Sequence, residues 1–314
     1  MEGFSVTHLR FTVEPVTLVQ FGTQPGSQLR GALYNVLRRH TCTLRPDRDP
    51  TPAHTAICPV CRLLAPRNPD AARGHTPPPP LALQPPPGDR RTYRPGQTFS
   101  FGISLFGDQS ELLPYVIHGV WGMGREGVGQ GRGRFEVRDI EAVHPLTRQR
   151  ESLLLPDGRI RQPELRVSAS DVDAAAHTLP SDGVTLHFLT PTRLIANGRP
   201  IALPPFEVLI GRLLERIDLL LDEYAPAAPR TPHAELAEQA QAIRLAWHRT
   251  RWVSIRSGSR RQGRTTPIGG FVGHIHYEGN LRPFLPWLIW GQSVQVGKNT
   301  AKGDGWYEIV PPSD

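Results

Sequence analysis

His40 directly follows Arg38 and Arg39 and lies a short way beyond Tyr34. An imidazole exchanges protons near neutral pH, as cutting an RNA chain through its own 2′-hydroxyl requires. A neighbouring guanidinium can stabilise the charge that develops on the phosphorane. Two other readings of His40 stand beside this one. It can be a helix-end histidine favoured by the helix dipole, or a metal ligand beside Cys42.

The chain has 3 cysteines, Cys42, Cys58 and Cys61. An odd count argues against a disulfide framework. Cys58-Pro-Val-Cys61 has the spacing of a zinc half-site, and Cys42 with His40 or His54 would complete four ligands. The competing reading is a group of reduced thiols in a small loop subdomain.

Two glycine-rich stretches carry the remaining polar chemistry. The first runs from Gly122 to Gly133 and brings Arg125 and Arg132, with Arg134 just beyond it. The second runs from Gly297 to Gly305 and includes Lys298, Asn299, Thr300 and Lys302; no other lysine occurs in the chain. Glycine permits positive φ and close approach to a ligand, and successive N–H groups can form an anion-holding concavity. The loops can equally be tight strand entries. Their spacing is not that of a P-loop, which disfavours nucleotide hydrolysis.

The formal charge is +7, which suits a polyanionic partner. No Asp or Glu occurs from Gln239 to Tyr277, a stretch that holds Arg244, Arg249, Arg251, Arg256, Arg260, Arg261 and Arg264. Coding bias explains a high arginine total but not the exclusion of acids from one segment. Arginine forks onto phosphate and stacks on bases. His274 and His276 fall on one side of a strand, where they line either an RNA surface or a wet sheet face. Arg30, on the first helix, joins the candidate RNA contacts. Neither half shows an aromatic pair at the spacing used for reading single strands, so groove and backbone recognition is expected. From cysteines and charge alone, a zinc-dependent DNA-binding regulator is a competing reading.

These residues need elements to hold them. Val6–Val13 reads as a strand, and Gly26–His40 as a helix with Leu29, Leu33, Val36 and Leu37 on one face. A Cys- and Pro-rich insert at 41–95 reads as loop with extended segments. Gln97–Phe106 predicts a strand, Ser110–Val120 a helix and Arg134–Ile140 a strand. The polar stretch at 147–181 reads as a linker between residues 1–146 and 182–314. The second half then repeats the order, with strands at Val184–Leu189, Trp252–Ile255, Phe271–Tyr277 and Trp306–Val310. Its helices fall at Pro205–Leu221, Pro232–Ala246 and Leu281–Trp290. Each half predicts a ferredoxin-like sandwich, an antiparallel sheet backed by helices. The shared sequence of late helix, glycine-rich loop and final strand points to internal duplication. No apolar run reaches the length of a membrane span, and Met-Glu-Gly-Phe is not a secretion signal, so a cytoplasmic location is expected.

Several of these segments together resemble the CRISPR repeat-processing endoribonucleases of the RAMP superfamily. They are Leu29-Arg-Gly-Ala-Leu33, Cys42 with Cys58-Pro-Val-Cys61, and Pro80-Leu-Ala-Leu-Gln-Pro85. In the second half they are Ser259-Arg-Arg-Gln262, Ile268-Gly-Gly-Phe-Val-Gly-His-Ile-His-Tyr277 and Val296-Gly-Lys-Asn-Thr-Ala-Lys-Gly-Asp-Gly-Trp-Tyr307. The resemblance implies α+β architecture with two tandem ferredoxin-like domains. It also implies binding of CRISPR repeat RNA and cleavage of precursor crRNA without a metal, leaving a cyclic phosphate. No cofactor is required for that cleavage; the zinc would be structural. His40 fills the place of the family's general acid or base, and Tyr34 that of a supporting tyrosine. No lysine stands near His40, so Arg38 or Arg39 would substitute for the family's catalytic lysine. The alternative within the superfamily is a non-catalytic subunit that holds crRNA in an effector complex.

Overall fold

The structure is a computed structural model that describes residues 1–45, 48, 50–66, 77–259 and 264–310. The chain divides into two compact units. One comprises Gly3–Val167 with Leu219–Pro226; the other comprises Met1–Glu2, Ser168–Asp218 and Ala227–Asp314.

The first unit opens with strand β1, Val6–Pro15, and a two-residue strand β2, Val19–Gln20. Helix α1, Pro25–His40, follows, then two six-residue helices, α2 (Pro52–Ile57) and α3 (Pro59–Leu64). Strands β3 (Leu81–Gln84), β4 (Thr92–Tyr93) and β5 (Phe99–Phe106) lead into helix α4, Leu113–Glu126. Strands β6 (Phe135–Val143) and β7 (Arg150–Ser152) complete it. The sheet is antiparallel in the order β3-β5-β1-β6-β7. Without β7 that is the ferredoxin-like order. Alternation sends Leu9, Phe11 and Val13 of β1 into the core, where Phe11 stacks on Phe101 of β5 at 5.4 Å.

Helices α1 and α4 pack together over this core. Gly119 and Gly122 make that approach possible: a Cβ at Gly119 would fall 2.4 Å from Leu33, and one at Gly122 would fall 2.3 Å from Val36. Gly122 and Gly124 therefore belong to α4, and the first glycine-rich loop is confined to the residues beyond Glu126. One expectation changes in this unit: the insert at 41–95 has its extended segments, β3 and β4, but also carries the short helices α2 and α3. Its helices are too short for periodicity to show, and each begins with a proline at its first position, Pro52 or Pro59.

The stretch at 147–181 carries β7 and helix α5, Ala169–Thr178. The N–H of Ser168 donates to the Asp171 carboxylate at 2.8 Å, half of a capping box that starts α5. The second unit continues with β8 (Gly183–Thr192), β9 (Leu194–Ala196) and β10 (Arg199–Ile201). Helices α6 (Phe206–Tyr224) and α7 (His233–Ala240) precede strands β11 (Arg244–Val253), β12 (Arg256–Ser259), β13 (Arg264–Pro267) and β14 (Gly270–Glu278). Helix α8, Leu285–Val294, and strand β15, Tyr307–Val310, close it. The sheet order β11-β14-β8-β15 is again ferredoxin-like and antiparallel throughout.

Residues 244–246 are strand, not the end of a helix, and the strand expected at Trp252–Ile255 begins eight residues earlier, at Arg244. As an edge strand wet on both faces, β11 lacks the alternation that marks its neighbours. One face of the sheet is dry. Phe206 of α6 meets Tyr277 and Phe284 edge-on at 5.1 and 5.0 Å, and Tyr307 donates its hydroxyl to the Leu288 carbonyl of α8 at 2.7 Å. Among the described residues no helix is long and apolar enough to cross a membrane.

Candidate active site

Helix α1 starts at Pro25, buries Leu29, Leu33, Val36 and Leu37, and ends on the cationic turn Arg38-Arg39-His40. Cations there complement the partial negative charge of the helix C-terminus. Helix α4 ends at Glu126, followed by Gly127 at φ 88°. The close α1–α4 packing brings the two ends together. His40 Nε2 lies 3.1 Å from Glu126 Oε1, and Arg39 Nη1 donates to Oε2 at 2.7 Å. Arg132 adds Nη2 to Oε2 at 3.3 Å and Nε to the Glu126 carbonyl at 3.1 Å.

The basic side chains are open and the carboxylate is not. Side-chain exposure is 51% for His40, 56% for Arg39 and 65% for Arg132, against 18% for Glu126. Partial burial opposes ionisation of Glu126, but hydrogen bonds and charge from His40 and Arg39 outweigh it and hold the carboxyl below its usual range. Beside this cluster lies a groove of about 330 Å³ between α1 and the glycine loop. Arg39, Glu126, Arg132, Gln28, Asn35 and Gly129 line it. The arrangement offers a proton-exchanging group and two guanidiniums at the edge of a cleft, which suits chemistry at a phosphodiester.

Glu126 escaped the sequence reading. Its one signal is that it stands as the lone acid within Gly122–Gly133. Arg38 turns the other way: one guanidinium nitrogen contacts Cys42 Sγ, and the other donates to the Arg45 carbonyl at 2.7 Å. Tyr34 is half-buried against the core. Arg30 donates to the Leu64 carbonyl and ties α1 to the end of α3. Arg125 and Arg134 are exposed.

Cys42, His54, Cys58 and Cys61 converge, with all ligand atoms within 4.8 Å of one another. His54, not His40, is the fourth member. Thr51 caps α2 by accepting from the His54 N–H at 3.2 Å, and His54 Nε2 reaches Cys42 Sγ at 3.4 Å. Tetrahedral zinc with Zn–S near 2.3 Å needs donors roughly 3.8 Å apart. Burial and the adjoining thiols push Cys61 up to about 12, a cost that a bound cation would offset by drawing the sulfur into its thiolate form. The donor set fits zinc.

The second glycine loop differs from the expected N–H cradle. Gly297, Asn299, Gly303 and Gly305 have positive φ, but its amides are largely spent inside the fold. Lys298 N–H goes to Arg193, Lys302 N–H to Asn299, Gly303 N–H to Thr300 and Gly305 N–H to Pro191. What the loop offers outward is the side chains of Lys298, which is exposed, and of Asn299 and Lys302, which are half-buried; Thr300 is buried. Asp304, absent from the sequence reading, is buried beneath them.

His274 and His276 share the open face of the second sheet. His274 stacks on His187 at 3.9 Å and His276 on Trp247 at 5.4 Å. These ring pairs form across strands and not along one, so they lie outside what the spacing of aromatic residues along the chain can show. Arg256 and Arg264 begin β12 and β13, which pair as a hairpin; Arg260 and Arg261 lie outside the described residues.

A family model described as CRISPR-associated endoribonuclease Cas6 matches residues 186–307, and one described as an N-terminal domain matches residues 4–165. No curated protein matches the chain in sequence. Among solved structures, Thermus thermophilus Cas6 superposes with a TM-score of 0.57 at 15% identity, covering 99% of this chain and 100% of its own. A Cas6 product complex gives 0.57 at 17% identity, covering 98% and 99%. A RAMP protein binding different RNA substrates gives 0.50 at 12% identity, covering 97% and 99%.

Proposed function

Residues 186–307 match the family of CRISPR-associated endoribonuclease Cas6, and we propose that the chain is an enzyme of this kind, which binds CRISPR repeat RNA and cuts precursor crRNA at the His40 cluster. The single observation that carries the assignment is the meeting of His40, Arg39 and Arg132 around Glu126 at the edge of a groove.

Cleavage needs no group beyond those of the chain and the RNA. The 2′-oxygen attacks the adjacent phosphorus as its proton leaves, and the P–O5′ bond breaks. The 5′-oxygen then takes a proton, leaving a 2′,3′-cyclic phosphate and a 5′-hydroxyl. His40 serves as the proton carrier, and Arg39 with Arg132 balances the charge on the phosphorane. Tyr34 and Arg38 stand behind this turn as supporting residues. Arg30 and the exposed Arg125 and Arg134 border the first unit's contact with RNA. The second unit contributes Lys298, Asn299, Thr300 and Lys302, with Arg256, Arg260, Arg261, Arg264, His274 and His276. Cys42, His54, Cys58 and Cys61 hold a structural zinc. The setting is the cytoplasm, with other CRISPR effector subunits as further partners.

Repeat RNA incubated with the protein in EDTA, resolved on a denaturing gel, tests this. Cutting in EDTA that His40→Ala lowers by about two orders of magnitude or more is expected. Binding without cutting, both in EDTA and in protein never exposed to chelator, would leave only an RNA-holding role. Unchanged cutting by His40→Ala would keep the enzyme and discard this site.

A further inference from the structure

The wet face of the second sheet carries two rows of rings. Strand register sets Trp247 of β11 opposite His276 of β14, and Arg249 opposite His274, which in turn faces His187 of β8. The rings of Trp247 and His276 are nearly parallel, at 12°, and those of His187 and His274 lie at 7°. Thr185 fixes the His276 ring through its Nδ1 at 2.9 Å. One face of Trp247 is taken by His276, yet 42% of the residue stays exposed, on an edge strand.

A large apolar residue held rigid and left open is suited to stacking on a planar partner. The guanidinium of Arg249 lies 5.9 Å from the Trp247 ring centre, and Arg251 follows two residues on along the same strand. This is the acid-free segment, so the planar partner should carry negative charge. The acids nearest it are Asp182 and Glu278, both at the cavity below the ring rows, where Arg244 and His276 contact Glu278 and Arg244 also lines the wall. Glu308 lies on the far edge strand opposite His187. The phosphates of a bound strand therefore follow Arg249 and Arg251, and the cavity end takes a base. At the foot of the Trp247–His276 row opens a cavity of about 830 Å³, bordered by His276, Thr185, Leu179, Ala242 and Ile309. That volume is in the range of small-molecule sites and admits a nucleotide.

We propose that this face, from Trp247 and His276 down to the cavity, is a stacking platform for unpaired nucleotides of an RNA strand. Rings supply sequence-tolerant base stacking, and the arginines follow the backbone. The platform rests on the reading of the chain as an RNA-binding protein, but it stands in a different unit from His40 and addresses unpaired RNA, not the bond that is cut.

The test uses the full-length protein and an unstructured RNA of about ten nucleotides carrying 2-aminopurine, whose fluorescence falls when it stacks. Wild-type protein should quench it; Trp247→Ala should weaken binding about tenfold and lose the quench, whereas Trp247→Phe keeps most of both. Circular dichroism of each variant excludes misfolding. A repeat hairpin titrated in parallel separates the two readings. A hairpin that binds while the oligonucleotide stays unquenched overturns the platform alone, and loss of both overturns RNA binding as a whole. Equal quenching by wild type and Trp247→Ala also overturns it, since stacking would then lie elsewhere.

Discussion

The imidazole of His40 and the carboxylate of Glu126 meet at 3.1 Å across 86 residues of sequence. They meet because Gly119 and Gly122 let α4 lie against Leu33 and Val36 of α1, so that both helices end at one place. Glu126 also receives Arg39 and Arg132, and so orients every cation of the candidate site. It touches no reacting atom in the proposed chemistry and is a positioning residue. Glu126→Gln keeps the shape and an acceptor but removes the charge. We expect kcat for repeat cleavage to fall about tenfold with KM little changed, and Glu126→Asp to recover part of the loss. If the carboxylate instead only helped the arginines hold RNA, KM would rise and kcat would stay.

Arg132 allows activity and folding to be separated. It sits at φ 52°, in the left-handed region that glycine adopts without strain. Arg132→Gly therefore removes a guanidinium from the groove while relieving about 1 kcal/mol of backbone strain. Its contacts to Glu126 are largely exposed and contribute little to stability. Cleavage should drop about tenfold and Tm should not. A lowered Tm would mean that Arg132 holds the loop instead of serving the substrate.

The Cys42–His54–Cys58–Cys61 cluster predicts about one zinc per chain in protein purified without chelator. Elemental analysis should find it, and Cys61→Ser and His54→Ala should both lower the content. Because Arg38 links the last turn of α1 to Cys42, a chelator should also lower the Tm of the first unit. Metal-free protein with unfolding indifferent to chelator would reduce the cluster to reduced thiols.

Much of this was legible in the residues, and the losses have physical causes. Strand β1 and helix α1 were clear, because one alternates and the other has its apolar residues on one face. The cysteine cluster was clear as well, although spacing alone left His40 and His54 tied as fourth ligand. Contacts between elements were not: neither Glu126 beside His40 nor Trp247 beside His276 has a signature along the chain. Helix α5 was hidden in a polar stretch, although Ser168 and Asp171 have the spacing of a capping box. Of the glycines, Gly122 and Gly124 looked like loop residues, and only the tight neighbours of each show that they serve packing.

The second glycine loop has a buried acid that makes stability depend on pH. Asp304 is 5% exposed, and burial pushes its carboxyl up to about 7 against weaker help from Asn299 and Lys302. An unfolded aspartate releases its proton near 3.9. Between those two values the folded protein binds more protons than the unfolded chain, so this residue's contribution to stability declines as pH rises from about 4 to 7 and is flat above. The decline should amount to roughly 2–4 kcal/mol. Asp304→Asn keeps the shape and never ionises. Thermal unfolding should show the variant more stable than wild type at pH 8 and about equal to it at pH 4.5. Taking the difference at each pH cancels the other titrating groups, which the two proteins share. A difference of the same size at both values would show that the carboxyl does not titrate in this window.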